Sequence, residues 1–246
     1  MPNFRFTLEY DGAAFHGWQV QSGARRTVQG EFENAIARVT GQRLRVAAAG
    51  RTDVGVHAIG QVASARIDTA LSPTVLRRAL NHVLPRDLAV VGADAAPDDF
   101  HARHSARGKL YRYRVWNCAT RSPLRAARSY WVPGALDLPA IAKAAQAFLG
   151  RHDFAAFQAA GSEIEHTTRT LDRLDVTASE PGEVVFWVQG DGFLRHMVRN
   201  LVGTLLEVGH GRRAGDSMSD LLAARDRRRA GPTAPAFALT LVEVYY

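Results

Sequence analysis

The chain has 246 residues, 46% hydrophobic and 22% charged, with a formal net charge of +7 and a single cysteine, Cys118. That composition is ordinary for a globular protein with a sizeable core. It excludes an internal disulfide and a cysteine-based metal site, and no apolar run approaches the ~20 residues that span a bilayer. The sequence pI of about 10.1 points to a polyanionic partner. Of the 31 basic residues only Lys109 and Lys143 are lysines. Arginine suits bidentate phosphate contacts, although a compositional bias of the genome explains the same ratio.

Phe4, Phe6, Leu8 and Tyr10 alternate with Asn3, Arg5, Thr7 and Glu9, the period of a half-buried strand rather than of a secretion signal. A helix follows from Thr27, with Val28, Phe32, Ala35, Ile36 and Val39 on one face. Short strands are predicted over 43–49 and 60–67. Ser72-Pro73 reads as a cap and first-turn proline of a second helix, stopped by Pro85, and 88–92 is a further strand.

The second half repeats this order. KLYRYRVW at 109–116 is a strand with Tyr111, Tyr113 and Val115 on one face and Leu110, Arg112, Arg114 and Trp116 on the other. Asp137 caps a helix that ends before Gly150. Strands near 171–177 and 183–189 come next. Leu194, Met197, Val198, Leu201, Leu205 and Val208 then mark a long amphipathic helix closed by Gly209. A shorter helix near 217–225 and a strand over 237–245 complete the pattern.

Each half therefore reads βαββαβ, with one extra helix in the second. The expected fold is α+β: residues 1–105 and 106–246 form two halves of RNA-recognition type, their mixed antiparallel sheets side by side with a cleft between. The linker is placed at 97–108. Such halves serve many functions, so the chemistry must come from particular residues.

The segment AGRTDVGVHA at 49–58 lies between two predicted strands, with Asp53 flanked by Gly50 and Gly55. The glycines permit a tight turn, and Arg51 brings positive charge beside the carboxylate. An Asx-turn accounts for Asp53 as well as a reactive carboxylate does. Arg199 projects off the apolar stripe of its helix, beside Arg195 and Gly203, which suits either a solvated face or a guanidinium offered to a cleft. Tyr111 is either sheet packing or a platform for a flipped base. Trp18, Gln19 and Gln21 sit in a glycine-flanked loop that could touch RNA. Arg25, Arg26, Arg212, Arg213, Arg225, Arg227, Arg228 and Arg229 are candidate phosphate contacts or simply solvated charge.

A larger pattern bears on these choices. GRTDVGVHA with GQV at 60–62, LEYDGAAFHGWQVQ at 8–21, TVQGEFENAI at 27–36, DFHARHSA at 99–106, KLYRYRVWN at 109–117, HDFAAF at 152–157 and FLRHMVRNLVGTLLEVGHG at 193–211 together resemble, in order, the TruA family of tRNA pseudouridine synthases. Ala238 departs from it, standing where the family commonly has glycine. The resemblance implies that Asp53 is the catalytic aspartate, that Tyr111 stacks on the target base and that Arg199 pairs with Asp53. It also implies a homodimer acting on uridines 38, 39 and 40 of the tRNA anticodon stem-loop; the lone cysteine and the lack of a spanning run or secretion signal in the sequence point to the cytoplasm. Arg51, next to the reactive turn, is the candidate to hold the flipped nucleotide or fill its vacancy.

Conversion of uridine to pseudouridine is an isomerisation, so no cofactor is expected, and no dinucleotide loop, P-loop or zinc-ligand spacing is found in the sequence. Whether Asp53 attacks C1′, attacks C6 or takes a sugar proton stays open at this level. Two other functions fit the fold. A silent RNA-binding platform has no use for this combination of residues, and a glycoside hydrolase normally needs two carboxylates where one is found in a motif.

Overall fold

A computed structural model describes residues 1–23, 25–162 and 166–246. The chain divides into two compact units, Met1–Arg107 with Thr240–Tyr246, and Gly108–Leu239. The sequence places the last strand in the second half; its residues from Thr240 on belong to the first unit, where they extend the sheet in parallel.

The first unit contains β1 (Asn3–Tyr10), α1 (Val28–Thr40), β2 (Ala47–Ala48), β3 (His57–Arg66), α2 (Pro73–Val83), β4 (Leu88–Ala96) and β10 (Leu239–Tyr245). Its sheet runs β4-β1-β3-β10, with β2 paired to β3. β1 is antiparallel to β3 and β4; β10 is parallel to β3, with Thr240 opposite His57. The inward residues Phe4, Phe6 and Leu8 are buried, as are Phe32 and Ile36 of α1 and Leu76 and Leu80 of α2. Phe6 and Phe32 meet edge to face at 5.2 Å. Thr27 and Ser72 cap the two helices as expected, each accepting a backbone N–H from the first turn.

Two predictions need correction here. The strand expected over 43–49 shrinks to Ala47–Ala48, because the Glu33 carboxylate on α1 takes the Val46 N–H at 3.0 Å and pairs with Arg45. The segment expected to be a linker is docked on the first unit. Asn3 donates to the carbonyls of Pro97 and Phe100, Ala102 N–H bonds Ser64, and Tyr246 donates to Ala102 O.

The second unit contains β5 (Gly108–Trp116), β6 (Tyr130–Trp131), α3 (Leu138–Ala145), β7 (Gly150–Asp153), β8 (Thr168–Glu180), β9 (Glu183–Gly190), α4 (Met197–Gly209) and α5 (Met218–Ala224). Its sheet runs β5-β9-β8-β7, antiparallel throughout, with β6 parallel on β5. Gly150, read as a helix terminator, opens β7 in the left-handed region at φ +88°.

Helix α4 begins at Met197 rather than near Leu194, after His196 in the left-handed conformation. It is also not amphipathic in place: eleven of its thirteen residues are buried. The side read as polar is covered by an extended strap, Gly231–Pro235. The strap lies so close that a Cβ on Gly203 would collide with the Pro232 carbonyl. Among the described residues no helix is long and apolar enough to cross a membrane.

Candidate active site

In the first unit the loop between β2 and β3 is fixed on both sides of Asp53. Thr52 is buried, and its hydroxyl and the Tyr10 phenol share a hydrogen bond of 2.8 Å. Burial pushes the Tyr10 pKa up to about 12, against the opposing effect of its bonds to Thr52 and Gln61, so the phenol stays neutral. Gln61 donates to Gly50 O at 2.8 Å, and Trp18 N–H to Thr52 O at 3.1 Å. After Asp53 the chain closes a turn: Val56 N–H bonds Asp53 O at 3.1 Å, with Gly55 at φ +80°. An L side chain is disfavoured at that φ, which is why glycine stands there.

Two further glycines brace this turn from the segment after β1. A Cβ on Gly12 would run into the Val56 carbonyl, and one on Gly17 would stand 2.8 Å from Thr52 O. Gly12 N–H also bonds Nδ1 of the buried His57 at 3.0 Å. The DGAAFHGW stretch is therefore the buttress of the loop. Trp18, read as a residue that touches RNA, is instead buried and tilted against Tyr10 at 6.4 Å. Asp53 itself is half-buried, Arg51 is exposed, and Val54 beside Asp53 is 56% exposed. The turn thus holds a carboxylate at the surface on a backbone with little freedom.

In the second unit Tyr111 is buried on β5 opposite Val188, its ring edge to face with Phe193 at 5.1 Å. Phe193 was not singled out by the sequence, although it opens the FLRHMVRN stretch. Arg199 is half-buried near the start of α4, and its Nε donates to Ala234 O at 2.7 Å. Ala234 N–H returns a bond to Arg199 O at 3.1 Å. The side chain that the sequence places on a solvated face or in a cleft is thus tied by one edge to the strap. Tyr113, one residue pair along β5, donates to Pro235 O at 2.9 Å, and burial pushes its pKa up.

Asp53 and Arg51 therefore share one loop of the first unit, while Tyr111 and Arg199 both lie in the second. Several candidate phosphate contacts are already engaged. Arg26 grips Asp87 with two bonds of 2.6 and 2.7 Å, pairs with Glu31 and covers the Phe15 ring. Arg213 pairs with Glu207, Arg225 with Asp153 and Arg228 with Asp226. Arg227 is turned into the protein. Spacing along the sequence gave no warning of Asp87, Asp153 or Asn200, which are distant from their arginines in the chain.

The tRNA pseudouridine synthase family profile matches residues 7–105 and 144–246. The chain belongs to this family. It is 47% identical over its whole length to tRNA pseudouridine synthase A of Myxococcus xanthus, covering 92% of that protein. It is 44% identical to that of Acetivibrio thermocellus, with both chains fully covered. With that of Geobacillus kaustophilus the identity is 48%, over 97% of this chain and 92% of the relative. As a tRNA pseudouridine synthase the chain is an isomerase that converts uridine in tRNA to pseudouridine. The resemblance carried by the ordered motifs is thereby borne out.

Proposed function

We propose that this synthase acts on uridines 38, 39 and 40 of the anticodon stem-loop, with Asp53 as the essential carboxylate. The observation that carries the role of Asp53 is the rigid turn around it: a half-buried carboxylate between a buried, hydrogen-bonded Thr52 and a glycine turn, braced by Gly12 and Gly17. A backbone held this firmly places a reacting group in advance of substrate. Tyr111 and Arg199 are the other residues assigned to the reaction.

In this reading the target nucleotide leaves the stack, at a cost of a few kcal/mol, and its base lies on Tyr111. Arg51, exposed beside Asp53, enters the space it vacates or holds it outside. Arg199 provides the counter-charge for Asp53. The N1–C1′ bond breaks, the uracil turns, the C5–C1′ bond forms, C5 gives up its proton and N1 gains one. Atoms and electrons balance within the nucleotide. The active form is a cytoplasmic homodimer in which one tRNA touches both subunits.

The test is pseudouridine mapping of tRNA from cells with and without the protein, with tritium release from C5-labelled tRNA in vitro. Loss confined to positions 38, 39 and 40, with tritium released, is expected. Loss at other positions would overturn the assignment of target, and release of free uracil would overturn the reaction.

A further inference from the structure

The buried face of α4 carries a polar cluster that the reaction as described does not use. Asn200 and Thr204 are fully buried, one and five residues after Arg199. The Asn200 amide donates to Phe157 O at 2.7 Å. Its Oδ1 accepts from Thr233 Oγ1 at 2.6 Å and from Arg227 Nη2 at 3.1 Å, and the same Nη2 donates to Thr233 Oγ1 at 3.0 Å. Arg227, Asn200 and Thr233 thus close a triangle of hydrogen bonds. Thr204 Oγ1 accepts Gly231 N–H at 2.9 Å.

Three of these bonds end on the strap Gly231–Pro235, at Thr233 and Gly231, and the next residue after Thr233 is Ala234, whose carbonyl receives Arg199 Nε. Glycine is required on both surfaces of this contact. Gly203 faces the Pro232 carbonyl, and a Cβ on Gly231 would lie 2.7 Å from Thr204 Cα. A strap without secondary structure of its own gains a fixed course from such side-chain anchors, together with the Ala234 N–H bond to Arg199 O.

We infer that Arg227, acting with Asn200 and Thr233, is a positioning residue for Arg199: it fixes the strap whose Ala234 carbonyl orients the guanidinium toward its work. This rests on the reading that Arg199 supports the reaction at Asp53. It removes Arg227 from the phosphate-binding role that the run Arg227-Arg228-Arg229 suggests. Burial pulls its pKa below the ordinary arginine value, as befits a cation facing the protein rather than solvent.

The experiment is a double-mutant cycle between positions 227 and 199, read as kcat, KM and the salt dependence of tRNA binding. Arg227→Ala should lower kcat by roughly ten- to a hundred-fold with tRNA affinity and its salt slope unchanged. Arg227→Lys should not restore kcat, since an ammonium cannot reach Asn200 and Thr233 as the planar fork does. In an Arg199→Ala background, Arg227→Ala should add little further loss. Thr233→Val removes only one hydroxyl and serves if Arg227→Ala fails to fold; its kcat loss, about ten-fold, should also vanish in the Arg199→Ala background.

Four results would overturn the inference. They are a raised KM with a shallower salt slope, rescue by lysine, losses that multiply in the double variant, or a lowered melting temperature with kcat intact. Full activity of Arg199→Ala alone would instead remove the reading on which it rests, and the inference with it.

Discussion

Asp53 stands on a loop, half-buried beside an exposed valine, whereas Arg199 stands on a helix with eleven of its thirteen residues buried. Both are immobilised, by different means. The loop is held through its backbone: glycines at 12 and 17 press on it, and Tyr10, Gln61 and Trp18 bond to its main chain or to Thr52. The helix is rigid in any case, and the variable part is the guanidinium, aimed by a carbonyl on a strap 35 residues away. A short carboxylate is placed by fixing its own backbone. A long arginine needs a second anchor near its tip, because its side chain carries most of the freedom.

The comparison breaks first at Arg199. Arg199→Ala should cost roughly a hundred-fold in kcat or more, the scale of a lost charged partner, with stability lowered by only about 1 kcal/mol for the hydrogen bond to Ala234. Arg199→Lys should retain more activity than alanine and less than wild type, since it keeps the charge but loses the Nε–carbonyl contact. Steady-state kinetics with thermal melts decide this. A large loss of melting temperature with little change in kcat would make Arg199 a structural strut.

The glycine wedges come next. In an exposed helix interior, glycine to alanine stabilises by about 1 kcal/mol. Gly203→Ala should do the opposite and destabilise by roughly 1–3 kcal/mol, because the new methyl meets the Pro232 carbonyl. Gly12→Ala should cost a similar amount by displacing Val56 and the turn. Denaturant titration gives the sign, and a stabilised Gly203→Ala would mean that the strap yields easily.

The smallest effect concerns Arg26 and Asp87, which tie the segment after β1 to the start of β4. The Arg26 guanidinium holds the Asp87 carboxyl below its ordinary value of 3.8. A depressed carboxylate pKa contributes stability above the unfolded-state value and loses it as pH falls below. Both side chains are about a third exposed, so solvent screening limits the contribution to about 1 kcal/mol. Asp87→Asn should therefore be less stable than wild type at pH 7, with the gap closing between about pH 4 and the acid limit. A gap independent of pH would show that the loss is one of shape.

What was legible in the sequence follows the same division. The turn around Asp53 is local, so Gly50, Asp53 and Gly55 announce it within a few residues, and strands such as β1 and β5 announce themselves by alternation. The strap over α4 is not local. Arg199 with Ala234, and Asn200 with Phe157, Arg227 and Thr233, meet across 27 to 43 residues. Gly203 was legible as room for another backbone to approach, but not for which one, because the Pro232 carbonyl that meets it lies beyond α5. Trp18 was misread for a related reason: its glycine-flanked loop folds back onto Tyr10, so the ring is buried rather than offered to RNA. Arg26 and Arg227 looked like free cations because one partner of each, Asp87 and Asn200, is far along the chain.

The most direct test of the central claim is turnover by Asp53→Asn, a nearly isosteric change that removes only the charge. Pseudouridine formation in tRNA should be measured beside tRNA affinity and the melting curve of the same sample. The account predicts unchanged melting and binding, with product formation abolished. Substantial pseudouridine formation by pure Asp53→Asn would contradict it, because a reaction that proceeds without this carboxylate leaves the braced turn without a catalytic purpose.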